Sequence, residues 1–516
     1  MRQNDQEKEF NNDLNLIARS SMIVFVGVFL SKLFSYVYGI IIARNFGPEG
    51  YGLLTLSLMV IGWFITFSGL GLNRGIVRFI PIFKAQKRED KIKQTFRSSL
   101  SKVIVSSTIS FLLLFFLSNF IAIQIFNEPQ LVIFLKFFSI LIPITVALEI
   151  FLSVIQANEE IFIYNFIYKF FIGISKIMLL ILFIVFGWGL SSIYLSSFIA
   201  TSLTFVLTVV IFSRLYPNLL NKFKGDSKAT NKLFKELVSY SWPLVFYGVI
   251  WNVFYWTDTV LIGYFGNTAD VGLYSVAEQM AFLLNLAPQL FLQLFFPLIN
   301  RRYFQGKKEI VKQLAQQIGK WILAINLFVF AVMFLFPDKI IEILFGSSFL
   351  RAVNPLKILG VGAIFYSLFK VSDNLLAMKG KSKIILMDII FIFVLNLIGN
   401  FILIPPYGIT GASVSTAFSL ILLSLIIAFQ ANKYLSIIPL RRKMVNLIFA
   451  IVVSAILFKF IYGLFSFNIL FFIVMLVLFL ISYLLLSLIF KAFDRNDFSI
   501  LGNFYQIIKK IRQKNL

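Results

Sequence analysis

Fourteen stretches of this chain are continuously apolar: 22–43, 51–80, 103–126, 131–157, 161–187, 189–213, 238–264, 271–299, 321–336, 353–378, 384–404, 408–431, 444–464 and 468–490. A helix that crosses the ~30 Å hydrocarbon core of a bilayer needs about 20 such residues. Because the runs are continuous and do not alternate, a transmembrane β-barrel is excluded. The expected fold is all-α and polytopic, with about fourteen transmembrane helices. The 516 residues are 59% apolar and 14% charged, where a soluble chain is about 25% charged. No soluble fold competes.

Charge placement gives the orientation. Lys and Arg number 47 against 23 Asp and Glu, a net +24, which in a soluble protein would suggest nucleic acid. With the N-terminus inside, 35 of the 47 fall in cytoplasmic segments, and only Arg44, Lys339 and Arg351 in external ones. That bias is the positive-inside signature. Both termini are therefore expected in the cytoplasm, in a plasma or inner membrane, and nucleic acid is not an expected partner. The run from Met22 to Ala43 exceeds the core of a cleavable signal peptide, and no small-residue cleavage site follows it, so it reads as an uncleaved span. The tail from Phe498 to Leu516 mixes Phe498, Ile500, Leu501 and Phe504 with Lys509, Lys510, Arg512 and Lys514. This is the pattern of a basic amphipathic helix on anionic lipid.

The chain has no cysteine and no histidine. Disulfides, thiolate nucleophiles and the commonest metal ligands are thereby removed, and no metal site or cofactor is expected. No G-x-x-x-x-G-K-[ST] stretch is present, so the P-loop route to ATP hydrolysis is missing.

An internal repeat organises the spans. Arg44-Asn45-Phe46-Gly47 and Tyr51-Gly52-Leu53-Leu54 separate the first two; Tyr264-Phe265-Gly266 and Val271-Gly272-Leu273-Tyr274 separate the seventh and eighth, with Gly47 and Gly266 offset by 219. Lys87-Arg88-Glu89 matches Lys307-Lys308-Glu309 at 220, and Phe186-Gly187 matches Tyr407-Gly408 at 221. A steady offset predicts two parallel six-helix lobes, related by an axis along the membrane normal. The expected domains are 1–225 (N-lobe), 226–436 (C-lobe) and 437–516 (two extra helices and the basic tail). Such repeats usually carry the substrate path at the interface between halves. Pro143, Pro243 and Pro288 interrupt spans four, seven and eight and predict kinks.

The string Ala43-Arg44-Asn45-Phe46-Gly47-Pro48-Glu49-Gly50-Tyr51-Gly52, with Gly69-Leu70-Gly71 and Arg78-Phe79-Ile80 after it, resembles the N-terminal signature of the polysaccharide transporter family. That family comprises the O-antigen and other oligosaccharide flippases of the multidrug/oligosaccharidyl-lipid/polysaccharide (MOP) exporter superfamily. The resemblance extends over essentially the whole chain and implies a MATE-like fold with two extra C-terminal helices. It also implies a transporter and not an enzyme. Its cargo would be a lipid-linked oligosaccharide on polyprenyl phosphate or pyrophosphate, moved from the cytoplasmic to the outer leaflet by alternating access. Implied partners are that lipid, anionic membrane lipids, and the glycosyltransferases or polymerase of the pathway, with the chain itself a monomer. Arg44, Gly47, Pro48, Glu49, Tyr51 and Gly52 form the signature hairpin. They have an ordinary reading too: turn residues, a snorkelling arginine and an acid at a helix start.

Nine basic residues fall inside the apolar runs: Lys32, Arg74, Arg78, Lys136, Lys169, Lys176, Lys357, Lys370 and Lys459. Each costs ~2.5–3.5 kcal/mol at a helix centre, so they must snorkel or face a wet cavity. Lys136, Lys357 and Lys459 lie near external ends and Arg78 near an internal one, where snorkelling serves. Lys32 and Lys176 are mid-span. Lys169 shares a helical face with Lys176, as Arg74 does with Arg78. Lys32, Arg74, Arg78, Lys169, Lys176 and Lys370 are the candidates for a cationic substrate cavity. The first six spans hold six of these cations and one acid, Glu149; the next six set Lys357 and Lys370 against Asp258, Glu278, Asp373 and Asp388. Fixed cations suit a lipid pyrophosphate. Asp258 and Asp373 are candidates for Na⁺ or proton coupling. Asp373 can instead neutralise Lys370 three residues before it, and Asp258 has no obvious local partner.

Two other functions stay open. A multidrug cation antiporter of the same superfamily would want the opposite sign of charge. A membrane-embedded glycan polymerase or ligase needs positioned acid and base groups outside the bilayer. The longest external stretch, 337–352, offers Asp338 and Glu342 and no histidine.

Overall fold

The computed structural model describes residues 2–220, 227–462 and 469–493; the tail read as an amphipathic helix, 498–516, lies outside them. Within the described residues the fourteen apolar stretches lie mainly on helices, and no strand is present. Among the described residues, ten helices are long and apolar enough to cross a membrane. Two of these are too long to cross once. Val26–Ser68 has 43 residues and Ser382–Leu435 has 54, about 65 and 80 Å at 1.5 Å per residue, against a ~30 Å core.

Each of the two breaks at a glycine with positive φ, Gly47 (φ 65°, ψ −167°) and Gly408 (φ 55°, ψ −134°), a conformation that a β-carbon disfavours. The chain folds back there. A β-carbon on Gly411 would lie 2.0 Å from the Leu403 carbonyl oxygen, and one on Gly39 would lie 3.1 Å from the Tyr51 hydroxyl. A straight helix would hold those residues ~12–18 Å apart along its axis. With both counted as hairpins, Ser227–Phe265 and the bent pair Thr268–Gln293 and Leu298–Phe304 (50°) carry the remaining runs.

One expected span is not continuous. The run 51–80 breaks at Gly69-Leu70-Gly71, where Leu70 and Gly71 have φ of 50° and 66°. Arg74 and Arg78 therefore ride on a separate helix, Leu72–Ala85. The cause is close packing: a β-carbon on Gly71 would sit 2.8 Å from the Ser241 carbonyl oxygen, and one on Gly75 2.6 Å from the Ser241 hydroxyl. Small residues let membrane helices approach where lipid removes the hydrophobic drive. Pro143, expected to kink its span, lies inside an unbroken helix, Gln130–Ala157. Pro288 follows the 3₁₀ turn Phe282–Asn285.

The backbone repeats at the spacing seen in the sequence. After Leu72–Ala85, the N–H groups of Gln86, Lys87 and Arg88 donate to Ile82, Lys84 and Phe83; after Leu286–Phe304, those of Gln305, Gly306 and Lys307 donate to Arg301, Tyr303 and Arg302, each 219 residues on. Asn158, Glu159 and Glu160 donate to Val154, Gln156 and Ile155, and Lys379, Gly380 and Lys381 to Leu375, Ala377 and Leu376, 221 residues on. The middle donor has positive φ in all four turns, the geometry that satisfies a helix's last carbonyls.

Contacts divide the chain into two compact units. The first comprises Met1–Ala277, Leu344–Ala352 and Leu397–Ala412; the second comprises Glu278–Ile343, Val353–Asn396 and Ser413–Leu516. Phe96, Phe151 and Phe212 centre the first, with ring centroids 4.8–5.4 Å apart. Its helix Ser191–Leu215 buries a row of hydroxyls. Thr201, Thr204 and Thr208 donate to carbonyls four residues back, while the Tyr38 hydroxyl reaches Ser196, Ser197 and the Ile193 carbonyl. In the second unit, Met444–Tyr462 and Ile469–Ile489 pack on Lys308–Leu335 through Leu323, Leu327, Leu447, Met475 and Phe479. Tyr483 also donates to the Ala324 carbonyl at 3.0 Å.

Candidate functional site

The first unit contains a polar cavity of about 290 Å³, lined by Asn73, Arg74, Glu149, Gln156, Tyr164 and Tyr168 among others. Three elements build it. The glycine break places Leu72–Ala85 on one side, Gln130–Ala157 supplies Glu149 and Gln156, and the helix from Ile161 supplies the tyrosines. Tyr168 lies within a π-helical turn, Phe166–Phe171, a distortion often found at functional sites. Asn73 Nδ2 donates to Glu149 Oε2 at 3.3 Å, and Asn73 Oδ1 accepts from the Arg74 backbone N–H at 2.8 Å. The rings of Tyr164 and Tyr168 lie 5.7 Å apart.

One lysine stands against the cavity wall, and a second lies near the first. Lys169 Nζ lies 4.8 Å from the Tyr168 ring centroid, and Lys169 and Lys32 repel one another electrostatically. The two segments meet closely: a β-carbon on Gly173 would lie 2.9 Å from Phe34 Cβ, and the Phe34 and Phe170 rings are 5.6 Å apart. Arg74, Tyr168, Lys169 and Lys32 thus form one line of neighbours. Lys176 is half-buried and has no hydrogen-bond or ion-pair partner among the described residues.

The other sequence candidates lie elsewhere. Arg78 does not line the cavity; its guanidinium sits 4.0 Å over the Tyr240 ring, a cation–π contact. Lys370, in the second unit, is paired with Asp373 at 2.5 Å and donates to the Tyr366 hydroxyl at 3.1 Å, so its charge is compensated where it stands. Asp258 is not the isolated carboxylate that its local sequence suggests. It is 3% exposed and accepts from Asn400 Nδ2 at 2.6 Å and from the Tyr274 hydroxyl. Burial of a carboxylate requires donors of this kind.

The signature hairpin is a packing device in the first unit. Arg44 Nε donates to the Leu344 carbonyl at 3.0 Å. The Tyr51 ring meets Phe349 edge-on at 6.3 Å, and Glu49 is exposed. A β-carbon on Gly52 would lie 1.9 Å from the Thr268 carbonyl oxygen, and one on Gly272 2.0 Å from that of Pro48. The two repeat-related turns, at Gly47 and Gly266, therefore touch backbone to backbone. An Arg351–Asp270 ion pair (3.3 Å) and a Thr268–Glu128 hydrogen bond (2.7 Å) tie the same corner.

For Asn73, Tyr164 and Tyr168 the sequence offers no signal; for Glu149 it offers one, the lone acid of the first six spans. Sequence position puts Lys320 in a cytoplasmic loop, but the structure buries it fully on Lys308–Leu335, with Nζ 5.9 Å from the Phe493 ring centroid. Among the described residues, no cluster of three or more His, Cys, Asp or Glu is arranged to hold a metal.

Similarity to known proteins extends along most of the chain. The sequence model of the family described as polysaccharide biosynthesis protein matches residues 17–303, and that of MatE matches 243–402. The chain is 24% identical over 412 residues to a putative O-antigen transporter of Shigella flexneri, covering 77% of this chain and 93% of the relative. It is 29% identical over 213 residues to a probable low-salt glycan biosynthesis flippase of Haloferax volcanii, covering 41% and 44%. Among solved structures, the lipid II flippase MurJ in an inward closed conformation matches with a TM-score of 0.70 at 16% identity, over 91% of this chain and 98% of that one. An inward-facing multidrug resistance MATE family transporter of the MOP superfamily matches at 0.64 and 13%, over 79% and 94%. At these identities the structural likeness is one of fold. With more than half its length matched by the polysaccharide biosynthesis model, the chain belongs to that family and is a membrane transporter of the MOP superfamily.

Proposed function

We propose that the protein moves a lipid-linked oligosaccharide, carried on a polyprenyl phosphate or pyrophosphate, from the cytoplasmic to the outer leaflet of the plasma membrane by alternating access. One observation carries this reading. Arg74, Lys169 and Lys32 have no acidic partner among the described residues; Arg74 lines the cavity, Lys169 stands against its Tyr168 ring and Lys32 lies near Lys169, all within otherwise apolar segments. Intramembrane cations are costly and persist where water or a ligand anion balances them. Phosphate oxygens do so through charge-assisted hydrogen bonds. The O-antigen and archaeal glycan relatives support the same substrate class. Asp258 is the proposed site of Na⁺ or proton coupling, and no cofactor takes part. The proposed pathway partners are the glycosyltransferases that build the substrate and the polymerase that uses it. Both termini belong in the cytoplasm on this reading.

The match of 243–402 to the MatE model favours one second reading, a drug-cation antiporter. A deletion strain separates the two. The flippase reading expects lipid-linked oligosaccharide to accumulate on the inner leaflet while isolated membranes still synthesise it from labelled sugar. An unchanged leaflet distribution with altered resistance to cationic drugs supports the antiporter. Loss of synthesis itself supports an enzyme.

A further inference from the structure

We propose that the cavity beside Arg74 is a sugar subsite, taking one pyranose ring of a glycan next to its phosphate; this rests on the flippase reading above. Small-molecule sites occupy about 300–1,000 Å³. A cavity of about 290 Å³ therefore has room for a single ring and not for an oligosaccharide.

The wall chemistry fits a ring of hydroxyls. Asn73 and Gln156 bring amides that both donate and accept, and Glu149 brings a carboxylate that only accepts when ionised. Tyr164 and Tyr168 add phenol groups and flat apolar faces, and the C–H face of a pyranose packs against such surfaces. Arg74 does not neutralise Glu149: no ion pair joins them, and the carboxylate's side-chain partner is the Asn73 amide. Its remaining lone pairs are offered to hydroxyl donors.

Two other occupants fit less well. A single carboxylate among amides and phenols is not a metal cage. A drug cation would face Arg74 in the same small cavity. The ligand that matches both Arg74 and Glu149 carries a negative group and hydroxyl donors together, as a sugar phosphate does. Arg74, and Lys169 against the Tyr168 ring, hold the phosphate, and the first sugar enters among Asn73, Glu149 and the tyrosines.

The test uses the full chain in nanodiscs and titrates farnesyl pyrophosphate, bare or with a single hexose, N-acetylhexosamine or hexuronic acid attached. At least one glycosylated probe is expected to bind roughly tenfold or more tightly than the bare one. Glu149→Gln, which retains an oxygen for Asn73, and Tyr164→Leu, which leaves the Tyr168–Lys169 contact in place, are each expected to cut that advantage to about threefold or less with bare-probe affinity not reduced. Retained bare-probe affinity also shows that the variants fold. Arg74→Ala is expected to weaken all probes alike. No advantage for any sugar, or an advantage that survives both variants, overturns the subsite and leaves the flippase reading standing. If no probe binds, the bare one included, both fall.

Discussion

Arg74 and Glu149 line one cavity and do not form an ion pair; the carboxylate's side-chain partner is Asn73. Its side chain donates to the carboxylate and accepts from the Arg74 backbone, which leaves the guanidinium available to a ligand. Opposite charges held apart in a low-dielectric site each keep their full appetite for a partner.

Arg74→Ala and Lys176→Ala are therefore expected to impair export roughly tenfold or more, since one charge-assisted contact is worth ~1.5–3 kcal/mol. Protein abundance should hold, as neither cation has an ion-pair partner among the described residues to lose. Lys136→Ala should be tolerated; its ammonium rests 5.5 Å from the Phe115 ring centroid. Complementation of a deletion strain, with membrane protein quantified, reads both. Equal tolerance at all three positions would leave the cationic site without support.

Asp258→Asn removes a charge while keeping atoms that can face Asn400 and Tyr274. The variant is expected to fold and to lose its response to the driving ion. In proteoliposomes, an imposed Na⁺ or proton gradient should speed wild-type translocation of a labelled lipid-linked glycan and leave the variant's rate unchanged. A variant that still responds moves the coupling site elsewhere.

Gly272→Ala places a methyl group 2.0 Å from the Pro48 carbonyl oxygen, and a backbone atom cannot swing aside as a side chain would. The corner at the end that charge bias marks as external should open. Because the chain has no cysteine, Ser275→Cys, at a site 7% exposed, gives a clean reporter. Labelling by an impermeant maleimide added outside should rise severalfold in the Gly272→Ala background. Unchanged labelling would show that this contact does not close the corner.

Reporter fusions after Lys91 and Lys228 should read inside, and a fusion after Phe126 outside. Finding Lys228 outside would break the parallel two-lobe reading.

Hydropathy made the helices legible because lipid imposes one requirement on every span. The repeat was legible because Gly47 and Gly266, and Lys87-Arg88-Glu89 and Lys307-Lys308-Glu309, recur at nearly one offset; the structure adds that the helix ends at Lys87 and Gly306, and at Glu159 and Gly380, close with the same bonds. The interior was not legible in this way. The partners of Asp258 lie 16 and 142 residues away, and no local pattern announces a tertiary donor. The break at Gly69-Leu70-Gly71 is written as three apolar letters, so hydropathy passes over it. Its cause is Ser241 on another helix. Arg78 was readable as a cation near a span end but not as the cap on Tyr240.

Thr201, Thr204 and Thr208 spend their hydroxyls on their own helix, whereas Tyr38 grips Ser196 and Ser197 nearer its start. Ser191–Leu215 is thereby held by hydrogen bonds near its start and makes none to its neighbours through the three threonines. A neighbour gliding past the threonines severs no hydrogen bond with them; it only trades van der Waals contacts of ~0.1–0.2 kcal/mol per atom pair. The helix is anchored twice, by the tyrosine near its start and by Phe212 between Phe96 and Phe151 at its far end, and the threonine stretch between the anchors is the part along which a neighbour can slide.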